Sequence, residues 1–349
     1  FGCVTDTTMH LQWDEIFFDQ CKAGSTVPIA RAGHCSVVLG DRLYVFGGAN
    51  RCGLHFNDVW SMKLDDHSWE RVQFAKGNAQ TPKPRNGHTG CAISTTEALL
   101  FGGIVQVPEP HVYDDLWIME AGAETSLWKG VQPNGLRPCG RSGHSASYAD
   151  GKMYLFGGHD DERQLNDLWI FDVVSNTWTQ LSTSSPWPSP RDMHVAGLGA
   201  GHLLLYGGRG TDNAPLADLW VCDLGKEGLV WRSVQVAGSP GGLMAHAAAL
   251  VAVDPEAVTV KMLSIGGVSE TGMGEDVLVT IDLKADTAQW QTVDGDATIL
   301  CSRVSFAHNV VVHGTRMYSI GGTELTADEP ENPLQEKICV YAASLSKVV

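Results

Sequence analysis

Arg141-Ser142-Gly143-His144, then Met153-Tyr154-Leu155-Phe156-Gly157-Gly158, then Asn166-Asp167-Leu168-Trp169 and a second tryptophan at Trp178 form one unit of this chain. Working outward, a glycine doublet closing an apolar run recurs at Gly47-Gly48, Gly102-Gly103, Gly207-Gly208, Gly266-Gly267 and Gly321-Gly322, at intervals of 50 to 59 residues. A histidine precedes each doublet, at His34, His88, His144, His194, His246 and His308. Self-similarity at such a period signals a repeat architecture.

The second half of the unit repeats as well. An acidic residue leads an apolar strand at Asn57-Asp58-Val59-Trp60, Asp114-Asp115-Leu116-Trp117 and Ala217-Asp218-Leu219-Trp220; Glu275-Asp276-Val277-Leu278 reads as a fifth copy without its tryptophan. Another tryptophan opens the following strand at Trp69, Trp128, Trp178, Trp231 and Trp290. Each unit holds four short runs of strand character parted by turn residues such as Gly40-Asp41 and Asp65-Asp66-His67-Ser68, the pattern of a four-stranded antiparallel sheet. One such sheet cannot bury both of its faces alone. The doublets read as structural glycines, because no phosphate-loop pattern followed by a helix accompanies them.

The pattern R-x-G-H, strand, Gly-Gly, loop, N-D-L-W, strand, W resembles the Kelch repeat and covers essentially the whole chain. The resemblance implies an all-β fold, a six-bladed Kelch propeller with four antiparallel strands per blade, formed by residues 1–349 as a single domain. After Gly322 only 27 residues remain, enough for a third strand near 338–345 but not for a tryptophan-bearing fourth. Leu11-Gln12-Trp13 matches the missing strand, so the N-terminal strand is expected to complete the last blade and leave no unpaired edge at the seam.

Composition bounds the function. A formal net charge of −16 leaves no broad basic face for nucleic acid or for an anionic membrane surface. No apolar stretch reaches the length of a membrane helix. Nine cysteines lie singly, without a C-x-x-C pair or an N-x-S/T acceptor in the chain, which suits reduced thiols and an intracellular, cytoplasmic setting. Inert buried thiols are the expectation, and a redox role requires a lowered pKa together with exposure. The histidines, spread around a ring, read as core residues and not as a metal site.

Strand direction puts the loop entering the first strand and the loop after Gly-Gly on one face. In cullin-ligase adaptors built on Kelch propellers, arginines at these two places bind acidic peptides or terminal carboxylates. By that resemblance Arg31, Arg85, Arg141 and Arg191 match the first position and Arg209 the second, with Leu243 and Ser305 replacing the arginine in the last two units. The other reading of the four is that they pair with local carboxylates between blades. The expected function is a non-catalytic interaction module or scaffold subunit, such as the substrate-recognition part of a ubiquitin ligase, with a protein or peptide partner, no cofactor and no catalytic or metal residue. The rival is an iron-dependent enzyme like the plant specifier proteins. Their E-x-x-x-D-x-x-x-H is approximated by Glu324, Asp328 and Asn332, where an asparagine stands in the place of the histidine.

Overall fold

The strand Arg42–Phe46 explains why the repeats become blades. Leu43 and Val45 pack with Tyr318, Ile320 and Val340 of the last unit, while Tyr44 and Phe46 pack with Leu100, Met119 and Trp128 of the second. Successive strand residues point to opposite faces, so both faces are buried only when the sheet has a neighbour on each side. The computed structural model describes residues 9–16, 26–77, 80–182, 186–225, 229–237, 241–254, 258–295, 307–323 and 337–345. Among the described residues there is no helix.

Six four-stranded antiparallel blades result. Blade three runs Ser145–Ala149, Lys152–His159, Gln164–Asp172, Thr177–Leu181. Blades one, two, four and five are built alike from residues 35–71, 89–131, 195–233 and 247–295. Blade six takes Asn309–His313, Arg316–Ile320 and Val340–Ser344 from the end of the chain and its outer strand, Trp13–Glu15, from the beginning. Trp13 stands opposite Ala343 and is 3% exposed, so the expected closure is present.

The first strands of successive blades touch all the way round and so line the axis. At their entrance the backbone closes a circle of six hydrogen bonds. Gly87 N–H donates to Gly33 O, Gly143 to Gly87, Met193 to Gly143, Ala245 to Met193, Ala307 to Ala245 and Gly33 to Ala307, at 2.7 to 2.9 Å. All six residues have φ between 54° and 64°, a region that favours glycine, yet three of them are not glycine.

A second belt runs round the rim. Phe74 bridges Ser126, Asn134 bridges Thr177, Gln235–Ala237 pairs with Thr287–Gln289, and Met9–Leu11 pairs with Val293–Gly295, all in parallel. In each case chain leaving one outer strand lies beside the start of the next blade's outer strand. The N-terminal segment therefore completes blade six and also ties it to blade five.

The doublet has two separate jobs. A Cβ on Gly47 would lie 2.8 Å from Cε1 of His88 in the next blade, and a Cβ on Gly48 would lie 2.9 Å from Cβ of His34 in its own blade. Gly102 and Gly103 meet His144 and His88 in the same way. Each imidazole thus wedges against the preceding blade, edge-on to an aromatic ring in the pairs Phe46–His88, Phe101–His144 and Phe156–His194.

Blade five departs from the reading of Asp276 as a fifth copy of Asp58. The residue two before the doublet faces the motif tryptophan in Val45–Trp60, Leu100–Trp117, Leu155–Trp169 and Leu205–Trp220, but Ser264 faces Val277. The outer pairing agrees, since Val279 faces Trp290 as Met62 faces Trp69. The strand has slipped along by one residue. Glu275, exposed, takes the place of Asp58, and Asp276 takes the core place that Val59, Leu116, Leu168 and Leu219 hold elsewhere. Burial pushes the Asp276 carboxyl up to about 6, despite the hydrogen bond from Gly266 N–H.

Candidate binding mouth

Arg31, Arg85, Arg141 and Arg191 have side chains with 0% exposure. Each guanidinium grips the motif aspartate of its own blade with two nitrogens: Arg85 holds Asp115 at 2.5 and 2.9 Å, Arg141 holds Asp167 at 2.6 and 2.9 Å, and Arg191 holds Asp218 at 2.7 and 2.8 Å. Arg31 holds Asp58 at 2.6 and 3.4 Å. Nη1 also donates to the carbonyl of the first doublet glycine in all four blades, and Nε donates to the carbonyl two residues earlier. The same aspartates accept the indole N–H of Trp60, Trp117, Trp169 and Trp220 at 2.6 to 2.7 Å.

This clamp explains the spacing of the repeat. Burial alone would raise the carboxyls of Asp58, Asp115, Asp167 and Asp218, but the guanidinium and indole donors outweigh it and hold them below the usual range. The phenyl ring of Phe56 and the phenol ring of Tyr113 lie over Arg31 and Arg85, 4.3 and 4.0 Å from the guanidinium carbon. Four of the five arginines expected to touch a partner are therefore committed to the framework. Each of these guanidiniums is fully buried and already bonded to a carboxylate and two carbonyls.

What surrounds the axis on this face is a set of cross-strand rungs. The residue after the arginine, the residue after the doublet and a residue of the returning strand stand side by side: Ala32–Ala49–His55, Asn86–Ile104–Val112, Ser142–His159–Gln164, Asp192–Arg209–Pro215 and Met244–Val268–Met273. Sequence reasoning had only Arg209 among these. The signal that marks them is variability at fixed offsets from an invariant frame, which repetition-seeking reading passes over.

A model of the KLHDC2/KLHL20/DRC7 Kelch-repeats domain matches residues 3–125 and 91–322. The chain belongs to the Kelch-repeat family. Among its relatives an F-box/kelch-repeat protein of Arabidopsis thaliana is 33% identical over 217 residues, 59% of this chain and 45% of the relative. Kelch domain-containing protein 3 of Homo sapiens is 29% identical over 194 residues, 54% of this chain and 50% of the relative. Acyl-CoA-binding domain-containing protein 4 of Arabidopsis thaliana is 28% identical over 275 residues, 76% of this chain and 38% of the relative. The chain spans half or less of these Kelch relatives.

On this Kelch propeller Arg209 is the rung arginine that meets solvent while held in place. Its Nε and Nη2 donate to the two carboxylate oxygens of Asp192 at 3.0 and 2.6 Å; the arginine side chain is 28% exposed and that of Asp192 3%. The Asp192 hydrogen bond raises the guanidinium's pKa, so the charge is permanent. On the next rung, Asp161 N–H donates to Nδ1 of half-buried His159 at 3.0 Å, which leaves Nε2 as the ring nitrogen able to donate to a ligand. Asp160, Glu162 and Arg163 surround it as a solvated charged loop, with Arg163 and Asp160 3.8 Å apart.

The remaining candidates fall into place around the mouth. Burial, more than any neighbouring charge, lowers the pKa of His34 and His246 to about 3 and of His308 to about 4, and holds His88, His144 and His194 well below 6.5. His144 and His194 share hydrogen bonds with Thr89 and Ser145 at 2.8 Å. Among the described residues no cluster of three His, Cys, Asp or Glu is placed to hold a metal, and Glu324, Asp328 and Asn332 lie outside the described residues. Burial pushes the thiols of Cys35, Cys91 and Cys222 up to about 12, while Cys52 and Cys139 are exposed. No described helix is long and apolar enough to cross a membrane. On the opposite face, a polar cleft of about 450 Å³ between blades one and two contains the Arg42–Glu70 ion pair.

Proposed function

We propose that this Kelch propeller is a non-catalytic interaction module whose mouth holds an acidic, acceptor-rich segment of a partner protein, with Arg209 as its anchor. The observation that carries the reading is the pairing of Arg209 with buried Asp192. It holds the guanidinium in place at the mouth without spending Nη1, and His159 adds a second donor one blade away. Guanidinium forks suit carboxylates, and a concave mouth strips away part of the competing water. An F-box/kelch-repeat relative, and a match to 38% of an acyl-CoA-binding domain-containing protein, support a module that serves as the recognition part of larger chains. Substrate recognition for a ubiquitin ligase is the finer form of the proposal.

Affinity purification compares wild type, Arg209→Ala and a control at the exposed loop, Glu162→Ala. Loss of an anchor weakens binding by about 2 kcal/mol, so Arg209→Ala should recover none of the partners that wild type and control share. Equal recovery by Arg209→Ala removes the anchor. Metal analysis addresses the enzyme reading, since stoichiometric iron in purified protein would favour it over a pure binder.

A further inference from the structure

The five described rungs differ in chemistry, and that of blade five is apolar throughout. Met244, Val268 and Met273 are successive cross-strand partners, and each is half-buried. Residues directly opposite one another in antiparallel strands share a face, so the three make a continuous apolar row. On the adjoining blade Met193 is 39% exposed, and its Cγ comes within 3.6 Å of the Cβ position of Gly143. That places the thioether over the hydrogen-bonded circle, next to the Ser142–His159 rung. Unbranched thioether side chains adapt to more than one apolar shape. The blade-five row stands on the blade next to the Asp192–Arg209–Pro215 rung, and Met193 follows Asp192 on that rung's own strand.

Resting on the peptide-binding reading above, we infer that the mouth reads two features of one extended segment. An acidic side chain or terminal carboxylate engages Arg209 and His159, and a large aliphatic or aromatic side chain packs on Met193, Met244, Val268 and Met273. Arg209 and the apolar row lie on adjoining blades, so an extended segment, which advances about 3.3 Å per residue, presents the two features close together along its chain. A partner segment carrying both satisfies the fork and the wall together. An acidic residue alone leaves the methionines wet, and an apolar residue alone leaves the Nη1 of Arg209, which Asp192 does not hold, to water.

The test immobilises the full chain and pans a phage-displayed random-peptide library, with wild type beside Arg209→Ala, the triple change of Met193, Met244 and Met273 to Ser, and the same triple change to Leu. Wild type should enrich Asp or Glu close to Leu, Ile, Phe or Trp. The serine variant should keep the acidic preference, lose the apolar one and bind a selected peptide about tenfold more weakly, while the leucine variant behaves as wild type. Met193→Ser alone carries the same comparison if the triple serine variant fails to fold. Acidic enrichment without an apolar neighbour, or an apolar preference unchanged in the serine variants, overturns the two-feature mouth and leaves the acidic reading standing. Absence of acidic enrichment, or enrichment indifferent to Arg209→Ala, defeats both. A wild-type dimer in sedimentation that the serine variants abolish would assign the wall to a second copy and overturn the inference.

Discussion

The imidazole edge of His88 fills the space that a Cβ on Gly47 would need, with Cε1 2.8 Å from that position and the carbonyl oxygen of Arg85 2.9 Å from it. Two blades are keyed together there by the lack of a side chain. Gly47→Ala must push the blades apart while also holding φ at 65°, and the overpacking and left-handed costs together come to about 3 kcal/mol. Gly53→Ala is the control, because its φ is 75° but nothing lies within 4 Å; it should lose only about 1 kcal/mol. Urea unfolding midpoints of the two variants check the difference.

The Arg85–Asp115 clamp should behave as a unit. Arg85→Leu leaves the half-buried Asp115 carboxylate and the Gly102 carbonyl without their guanidinium donor, a loss of about 3 kcal/mol, the low end of the range for a fully buried pair. Arg85→Leu with Asp115→Leu removes both charges and should recover a large part of that loss, giving a strongly non-additive double-mutant cycle. Blade five already shows the natural form, with Leu243 buried at the arginine position and Glu275 turned out to solvent. Additive losses would mean that clamp and carboxylate act independently.

Acid should unfold the ring early. The six repeat histidines are held neutral by burial, with folded pKa values below the unfolded 6.5. The unfolded chain therefore binds protons that the folded one refuses. Stability is full above pH 6.5, and it declines as pH falls from there through the lowered folded values, about 3 for His34 and His246 and about 4 for His308, by about 1 kcal/mol per histidine at one unit below 6.5. Melting temperature against pH should drop steeply between 6.5 and 5, and replacing His308 by Gln should make the drop shallower. The clamp aspartates, with lowered pKa values, add their own loss at lower pH.

Asp276 contributes with the opposite sign. Its folded pKa of about 6 lies above the unfolded 3.8, so its penalty is absent below pH 3.8, grows through the interval and is complete above 6. Asp276→Val restores the apolar residue that stands opposite the position before the doublet in blades one to four, and it should stabilise by about 3 kcal/mol at pH 7.5 and by less at pH 5. Thermal melts at the two pH values measure this; equal gains would contradict the slipped register.

How much was legible in sequence follows from these residues. The doublets, histidines and tryptophans each act against a neighbouring blade, so the same contact recurs from blade to blade and the repeat is visible without coordinates. The closure by Trp13 was legible because a missing strand leaves a deficit in the count. Arg31, Arg85, Arg141 and Arg191 were open to two readings, since a framework clamp and a recognition residue both repeat, and only the bond to an aspartate 26 to 30 residues away separates them. The slip at Asp276 was hidden because Glu275-Asp276 mimics the acidic motif letter by letter, and Asp276 follows Gly267 at the same spacing as Asp167 follows Gly158, so only the strand pairing reveals it. The rungs escaped notice because pairing across strands, and not order along the chain, brings Met244, Val268 and Met273 together.

The circle of amides at Gly33, Gly87, Gly143, Met193, Ala245 and Ala307 has neither a first donor nor a last acceptor. An open ladder ends in orphan groups that a ligand can take over; a closed one has no such vacancy, so these amides give a visiting chain nothing to grip. Partner choice at this doorway is thereby handed to side chains, and evolution can rewrite it residue by residue without loosening the hoop.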